Sequence, residues 1–289
     1  MPLPLSPTFR DALAARRPPL PELVEGPEPV PLPELVEGPG RPLAGIWVCS
    51  GSPLVAEICA GSGMDWLLLD GEHSPIGLET TLAMLHAVAA YPITPVVRVP
   101  AGDVVTIKQV LDLGAQNLLV PMVSSPGEAR AVVEAMRYPP RGRRGVGSAL
   151  ARSARWNRID DYLAHADAHV SLTVQIETAD GVAAAAEIAA VDGVYAVFVG
   201  PSDLAASMGV LGQQTHPDVT TAVRRTFDAV HAAGKPVGVN AFDPEAAQAY
   251  VEAGADFIAV GADVALLARG TEALAARWAS AAGESRASY

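Results

Sequence analysis

The sequence predicts an α/β fold, a (β/α)8 barrel, on three observations. From Leu43 onward eight short apolar runs recur, Ala-rich stretches of helical period separate many of them, and glycines stop several of those helices just before the next run. Continuous apolar strands joined by helical crossovers make a parallel sheet covered on its outer face. Eight such units most simply close into a barrel.

Taken in order, the chain opens with residues 6–16, where Phe9 and Leu13 have the spacing of a short helix. Residues 19–27 then recur unchanged as 31–39, a nine-residue duplicate at a period of twelve, dense in proline and glutamate. Repeated prolines remove backbone donors and fix φ, so this stretch is expected to be extended or disordered. Residues 1–42 therefore read as an N-terminal extension and 43–289 as the barrel domain. The strands are expected at 44–48, 66–69, 94–99, 117–120, 171–176, 194–199, 236–239 and 257–260, with helices at 78–90, 128–136, 183–190, 219–233 and 244–253. The glycines in 60–63, 112–115 and 252–255 are read as helix stops in the left-handed conformation rather than as phosphate loops.

Composition narrows the function. A formal charge of −12 and a pI near 4.9 argue against nucleic-acid or anionic-membrane partners, which need a basic face. Cys49 and Cys59 have no metal-ligand spacing and suggest no disulfide framework, which suits a reducing cytoplasm. No apolar run approaches the roughly 20 residues of a membrane span, and no signal peptide is evident, so a soluble cytoplasmic protein is expected.

In such a barrel the C-terminal strand ends converge on one face, so chemistry is sought just after each strand. Asp70, Glu72 and His73 follow the second strand, Arg98 ends the third, Glu177 follows the fifth and Asp203 the sixth. Glu177 and Asp203 lie one βα unit apart, where two carboxylates can hold one hard divalent cation such as Mg²⁺ or Mn²⁺; either one alone would equally serve as a helix cap. His73 is the only one of six histidines at a strand end. It is the natural general base if Asp70 or Asp112 orients it, and otherwise a structural histidine. A buried guanidinium at Arg98 requires an anionic partner, either a substrate carboxylate or enolate, or a barrel carboxylate. The two lysines argue against imine chemistry, because Lys108 lies within a helix and Lys235 precedes the seventh strand on the opposite face. A metal ion is left to stabilise any carbanion or enolate.

The motifs DWLLLDGEHSP (65–75), PVVRV (95–99), IKQVLDLG (107–114), LLVPMV (118–123), RYPPRGRRGVG (137–147), QIET (175–178) and GPSDL (200–204) together resemble the HpcH/HpaI family of class II pyruvate aldolases. The likeness runs from Gly45 to Trp278 and is strongest toward the 4-hydroxy-2-oxoheptanedioate aldolase branch, shared even in RWNRI (155–159). The resemblance implies a TIM barrel whose eighth helix, residues 264–279 here, is swapped between subunits of a trimer or hexamer. It implies a divalent metal (Mg²⁺, Mn²⁺ or Co²⁺) on Glu177 and Asp203. His73 would move protons with Asp112, with Asp70 as a second candidate, and Arg98 would stabilise the enolate. Trp47, Gln175 and the backbone at Ser202 and Asp203 would shape the pyruvate pocket. With the metal accounted for by Glu177 and Asp203, Glu72 is expected to touch the site only through water.

The implied reaction is reversible cleavage of a 4-hydroxy-2-oxo acid to pyruvate, or hydroxypyruvate, and an aldehyde. Asn240 stands where that branch is expected to be aliphatic, which makes the aldehyde end more polar and admits hydroxylated aldehydes or a hydroxypyruvate donor. A citramalyl-CoA-type lyase of the same superfamily and a non-catalytic metabolite-binding barrel are the alternatives.

Overall fold

A computed structural model describes residues 5–15 and 41–279. The duplicated segment lies outside the described residues, so the expectation placed on it has no structural counterpart. The elements run α1 (Phe9–Ala15), β1 (Leu43–Val48), α2 (Pro53–Ala60), β2 (Trp66–Asp70), α3 (Leu78–Ala87), β3 (Thr94–Arg98), α4 (Val104–Asp112), β4 (Asn117–Val120), α5 (Pro126–Met136) and α6 (Tyr162–His165). They continue β5 (Ser171–Ile176), α7 (Ala179–Ala183), α8 (Ala185–Ala189), β6 (Ala196–Val199), α9 (Pro201–Ser207), α10 (Pro217–Ala232), β7 (Val237–Asn240), α11 (Pro244–Glu252), β8 (Phe257–Ala262) and α12 (Asp263–Trp278). The eight strands pair in sequence order, all parallel, and β8 closes onto β1.

Several element ends shift by a few residues from the sequence reading, and two differences have a local cause. The helix expected at 183–190 is two short helices meeting at Ala184, whose φ of −100° is off the helical value. The sixth strand starts at Ala196 rather than 194, because the Val194 amide is taken by Val191 O in a turn, 3.1 Å away.

Two apolar layers hold the barrel. Strand residues such as Leu67, Leu69, Val97 and Val174 point outward and pack against the helices. Inward residues form a separate core of Trp66, Leu68, Phe198 and Phe257. Large inner side chains are accommodated by glycines on neighbouring strands: a Cβ on Gly45 would meet the Trp66 ring at 2.1 Å, and one on Gly238 the Phe257 ring at 2.4 Å. This layer extends to α1, where Phe9 and Leu13 are buried and the Phe9 ring meets Phe257 edge-on at 5.1 Å. The Asn117 side chain fixes that plug, accepting from Phe9 N at 2.6 Å and donating to Pro95 O at 2.9 Å. The helix read at 6–16 thus closes the N-terminal end of the barrel and belongs to its core.

Candidate active site

Strand register sets the first half of the site. β2 and β3 pair with Asp70 opposite Arg98, so the last residue of each faces the other across the ladder. Arg98 is 4% exposed, and its Nε and Nη2 both donate to Asp70 Oδ1 at 2.8 Å while Nη1 lies 2.7 Å from Glu72 Oε2. Its guanidinium also stacks on the Trp47 ring, 4.3 Å from the centroid. The anionic partner that a buried guanidinium requires is therefore supplied within the barrel, by two carboxylates.

Asp70 is saturated. It accepts from Arg98, from the amides of Glu72 and His73 at 3.1 and 3.4 Å, and from Ser74 Oγ at 3.0 Å. Burial pushes its carboxyl up, but these donors, Arg98 foremost, outweigh that and hold it below the usual range. It contacts the backbone of His73 and not its ring. The carboxylate beside the imidazole is Glu72, with Oε1 3.8 Å from Nε2, and His73 itself is 66% exposed. Burial raises the Glu72 carboxyl, Arg98 and His73 oppose the rise, and Asp70 and Asp203 add to it.

The second half comes from β5 and β6. Glu177 is buried just past β5, and its carboxyl is pushed up to about 7, first by burial and further by the charges of Asp203 and Glu72. Two donors partly offset this: Met122 N reaches Oε1 at 2.7 Å, and Gln175 Nε2 bonds Oε2. Met122 holds φ at 59°, a left-handed conformation unusual for a side chain of its size. Gly200 leaves room for this arrangement, since a Cβ there would lie 2.6 Å from Glu177 Oε2 and 2.9 Å from Gln175 Nε2. Asp203 sits in the first turn of α9, exposed at the cavity edge.

A cavity of about 350 Å³ opens at the C-terminal face, with Trp47, Asp70, His73, Arg98, Gln175 and Asp203 in its wall; Glu177 and Glu72 stand behind that wall, bonded to Gln175 and paired with Arg98. Asn240 and Ser202 line it too, and Trp47 Nε1 donates to Asn240 Oδ1 at 2.9 Å. Nearly all the residues singled out in the sequence are thus brought together. Asp112 is the exception: within one chain it does not lie beside His73. It ends α4, which runs back along the barrel after β3, so it lies at the N-terminal rim and accepts from Arg144 Nη2 at 2.9 Å.

The sequence reading missed three contributors. The Cys49 thiol lines the cavity, pushed up to about 11 by burial. Buried Asp263 accepts from the amides of Cys49 and Ser50 at 2.8 and 3.1 Å, tying β1 to the start of α12. Met122 contributes a main-chain donor, which no side-chain pattern can reveal; an apolar residue directly after the proline that follows β4 was the only available sign.

Among the described residues no three His, Cys, Asp or Glu side chains converge as a metal site of protein ligands alone. The donor set nevertheless fits a hard cation completed by water and substrate oxygens. Glu177 is short of positive charge, and Gln175 Oε1 is buried without a partner.

Comparison with known proteins shows the family. The profile of the family described as HpcH/HpaI aldolase/citrate lyase matches residues 43–270. The chain belongs to the HpcH/HpaI family. One HpcH/HpaI relative, the hydroxypyruvate/pyruvate aldolase of Deinococcus radiodurans, is 52% identical over 237 residues, 82% of this chain and 86% of the relative. A second, the 4-hydroxy-2-oxo-heptane-1,7-dioate aldolase of Salmonella dublin, is 52% identical over 239 residues, 83% of this chain and 91% of the relative. Among solved structures, an HpcH/HpaI aldolase/citrate lyase family protein from Burkholderia cenocepacia J2315 superposes with a TM-score of 0.80 at 43% identity, covering 83% of this chain and 95% of that one. The match begins at the start of β1, so α1 and the duplicate lie outside the matched region.

Proposed function

We propose that the chain is a divalent-metal-dependent aldolase that reversibly cleaves 4-hydroxy-2-oxo acids to pyruvate or hydroxypyruvate and an aldehyde. The observation that carries this reading is Glu177, a buried carboxyl near neutrality facing Asp203 and Glu72 beside an unpartnered Gln175 oxygen. Glu177 and Asp203 would hold the cation, Mg²⁺, Mn²⁺ or Co²⁺. When bound, it supplies a Lewis acid for the carboxylate and keto oxygens of the 2-oxo acid.

The chain's own residues supply the rest. Trp47 and the backbone of Ser202 and Asp203 bound the donor pocket, with Gln175 on its floor. His73 accepts the proton of the C4 hydroxyl as the C3–C4 bond breaks, and the electron pair passes into the pyruvate enolate. Arg98, held by Asp70 and Glu72, presents its charge to the enolate oxygen, and a proton returned to C3 completes pyruvate. Asp70 acts by holding Arg98. Asp112 can serve His73 only across a subunit boundary, because in its own chain it lies on the opposite rim.

Exposed apolar surface supports an assembly. α12 leaves Leu266, Leu267, Leu274 and Trp278 at 61–77% exposure, and α2 leaves Leu54 and Ile58 at 65%. A homo-oligomer, trimer or hexamer, that exchanges α12 would cover both. No helix among the described residues is long and apolar enough to cross a membrane, and the two cysteines are free thiols, consistent with a cytoplasmic site of action. A CoA thioester is disfavoured, since among the described residues Arg98 is the one arginine in the cavity wall and no lysine lines it.

The test is exchange of pyruvate methyl protons into D₂O, followed by NMR, with metal removed and restored. Exchange abolished by chelator and recovered with Mn²⁺, Co²⁺ or Mg²⁺ is expected. Full exchange in excess chelator would refute the metal-dependent reading.

A further inference from the structure

Next to the main cavity lies a side pocket of about 130 Å³, which shares Pro201, Ser202, Asn240 and Phe242 with it. At about 30 Å³ per water in the liquid, that volume suits a tail of three or four heavy atoms. Gln214, Thr215 and Asp243 complete its polar wall.

Hydrogen bonds orient both of its amides. Trp47 Nε1 donates to Asn240 Oδ1 at 2.9 Å, and Ser202 Oγ donates to Gln214 Oε1 at 3.3 Å. Each amide oxygen is engaged, and each NH₂ is without a partner among the described residues. The pocket's single charge is negative: Asp243, which accepts from Ala246 N at 2.9 Å as the cap of α11. Among the described residues no lysine, arginine or histidine lines the pocket. Arg98 in the adjoining cavity is already paired with Asp70 and Glu72, and Arg224, which acts on the Tyr250 hydroxyl of the wall, is exposed and outside the lining.

A carboxylate placed here would be partly desolvated beside Asp243 with no counter-charge, a cost that neutral amide donors do not offset. A hydroxyl has no such difficulty, because its oxygen accepts from an amide NH₂ while its proton goes to Asp243 or Thr215. Resting on the aldolase reading above, we infer that this side pocket receives the tail of the acceptor aldehyde. Its lining selects neutral, hydroxylated aldehydes over aldehydes that carry a terminal carboxylate. In the synthetic direction the balance is that of an aldol addition: C3 of pyruvate bonds to the aldehyde carbon, and the methyl proton lost from C3 is matched by the one gained on the new C4 hydroxyl.

Three aldehydes with four-carbon chains test this with pyruvate as donor: 3,4-dihydroxybutanal, butanal and succinic semialdehyde. The expected kcat/KM for the dihydroxy compound exceeds that for the semialdehyde by about tenfold or more, with butanal between, on the scale that one pocket contact gives. Gln214→Lys, which adds a cation, should shift the ratio toward the semialdehyde by about tenfold. Should that variant misfold, Asp243→Asn keeps a capping side chain, removes the charge and should shift the ratio the same way. A wild-type enzyme that uses the semialdehyde as well as the dihydroxy compound, or a folded variant with an unchanged ratio, would overturn the inference. Butanal equal to the dihydroxy compound would remove its hydroxyl-recognition half. Pyruvate proton exchange without product from any aldehyde overturns the inference alone, and absence of exchange in the metal-loaded enzyme overturns the aldolase reading with it.

Discussion

The two ends of the barrel interior are equally buried and chemically opposite. Toward the N-terminal end Phe9, Trp66 and Phe257 fill the bore at 1% exposure, their rings meeting edge-on or tilted at 5.1–5.9 Å. Toward the C-terminal end Arg98, Gln175 and Glu177 sit at 2–4% exposure, with one carboxyl raised to about 7 and one amide oxygen unsatisfied. Burial of the first set is favourable because apolar area leaves water, whereas burial of the second costs free energy that only a ligand or counter-ion returns. The barrel thus places stability at one end and unmet electrostatic demand at the other. That demand, more than the presence of polar residues, marks the functional end.

The contrast is broken most strongly at its apolar end. Trp66→Ala empties the space that Gly45 leaves for the indole and should destabilise the protein by about 4 kcal/mol. Denaturant midpoints would show the loss, while the folded fraction should keep its pyruvate exchange rate. A loss below about 1 kcal/mol would mean that the inner aromatic layer contributes little.

At the polar end the sign reverses. Glu177 titrates near 7 when folded and near its ordinary value of 4.5 when unfolded, so the neutral form is favoured by folding. Its contribution is fully present below pH 4.5 and is lost as pH rises through 7. Metal-free protein should therefore lose about 3 kcal/mol between pH 4.5 and 8 from this group. Glu177→Gln should flatten that part of the stability profile while abolishing turnover, and Mn²⁺ should restore the wild type's stability at pH 8. A wild-type profile flat across this window would show that the carboxyl is not held protonated.

Gly200→Ala probes the same end through packing. The new Cβ would lie 2.6 Å from Glu177 Oε2, so the carboxylate must move. Turnover should fall about 100-fold, on the scale of a misplaced catalytic group, with a midpoint change equivalent to about 1 kcal/mol. Unchanged kinetics would mean that the Glu177 position is not critical.

Legibility in the sequence followed the same division. The eight strands are readable because their apolar runs are continuous and bounded by turn residues, and Asp70, His73, Arg98, Glu177 and Asp203 are readable because each stands at the end of such a run. Partnership was not readable. That Asp70 holds Arg98 follows from the β2–β3 register, and that Glu72 is the carboxylate beside the His73 ring depends on how the following turn folds. Met122 contributes through a main-chain amide, which leaves no side-chain signature. The core role of α1 was hidden because Phe9 precedes a proline-rich stretch, so its partner Phe257 lies across the whole chain.

Asp112 sharpens the comparison last, because it belongs to the N-terminal rim by position and to the catalytic end by resemblance. Within one chain it pairs with the fully buried Arg144 and not with His73. If it serves His73 of another subunit, Asp112→Asn should lower turnover about tenfold with assembly unchanged by light scattering, and should shift the pH dependence of kcat. Leu267→Asp, placed on exposed α12, should reproduce that loss only by dissociating the oligomer. A purely structural Asp112 gives a different pattern: the melting temperature falls as Arg144 loses its counter-charge, while kcat and its pH profile stay where they were.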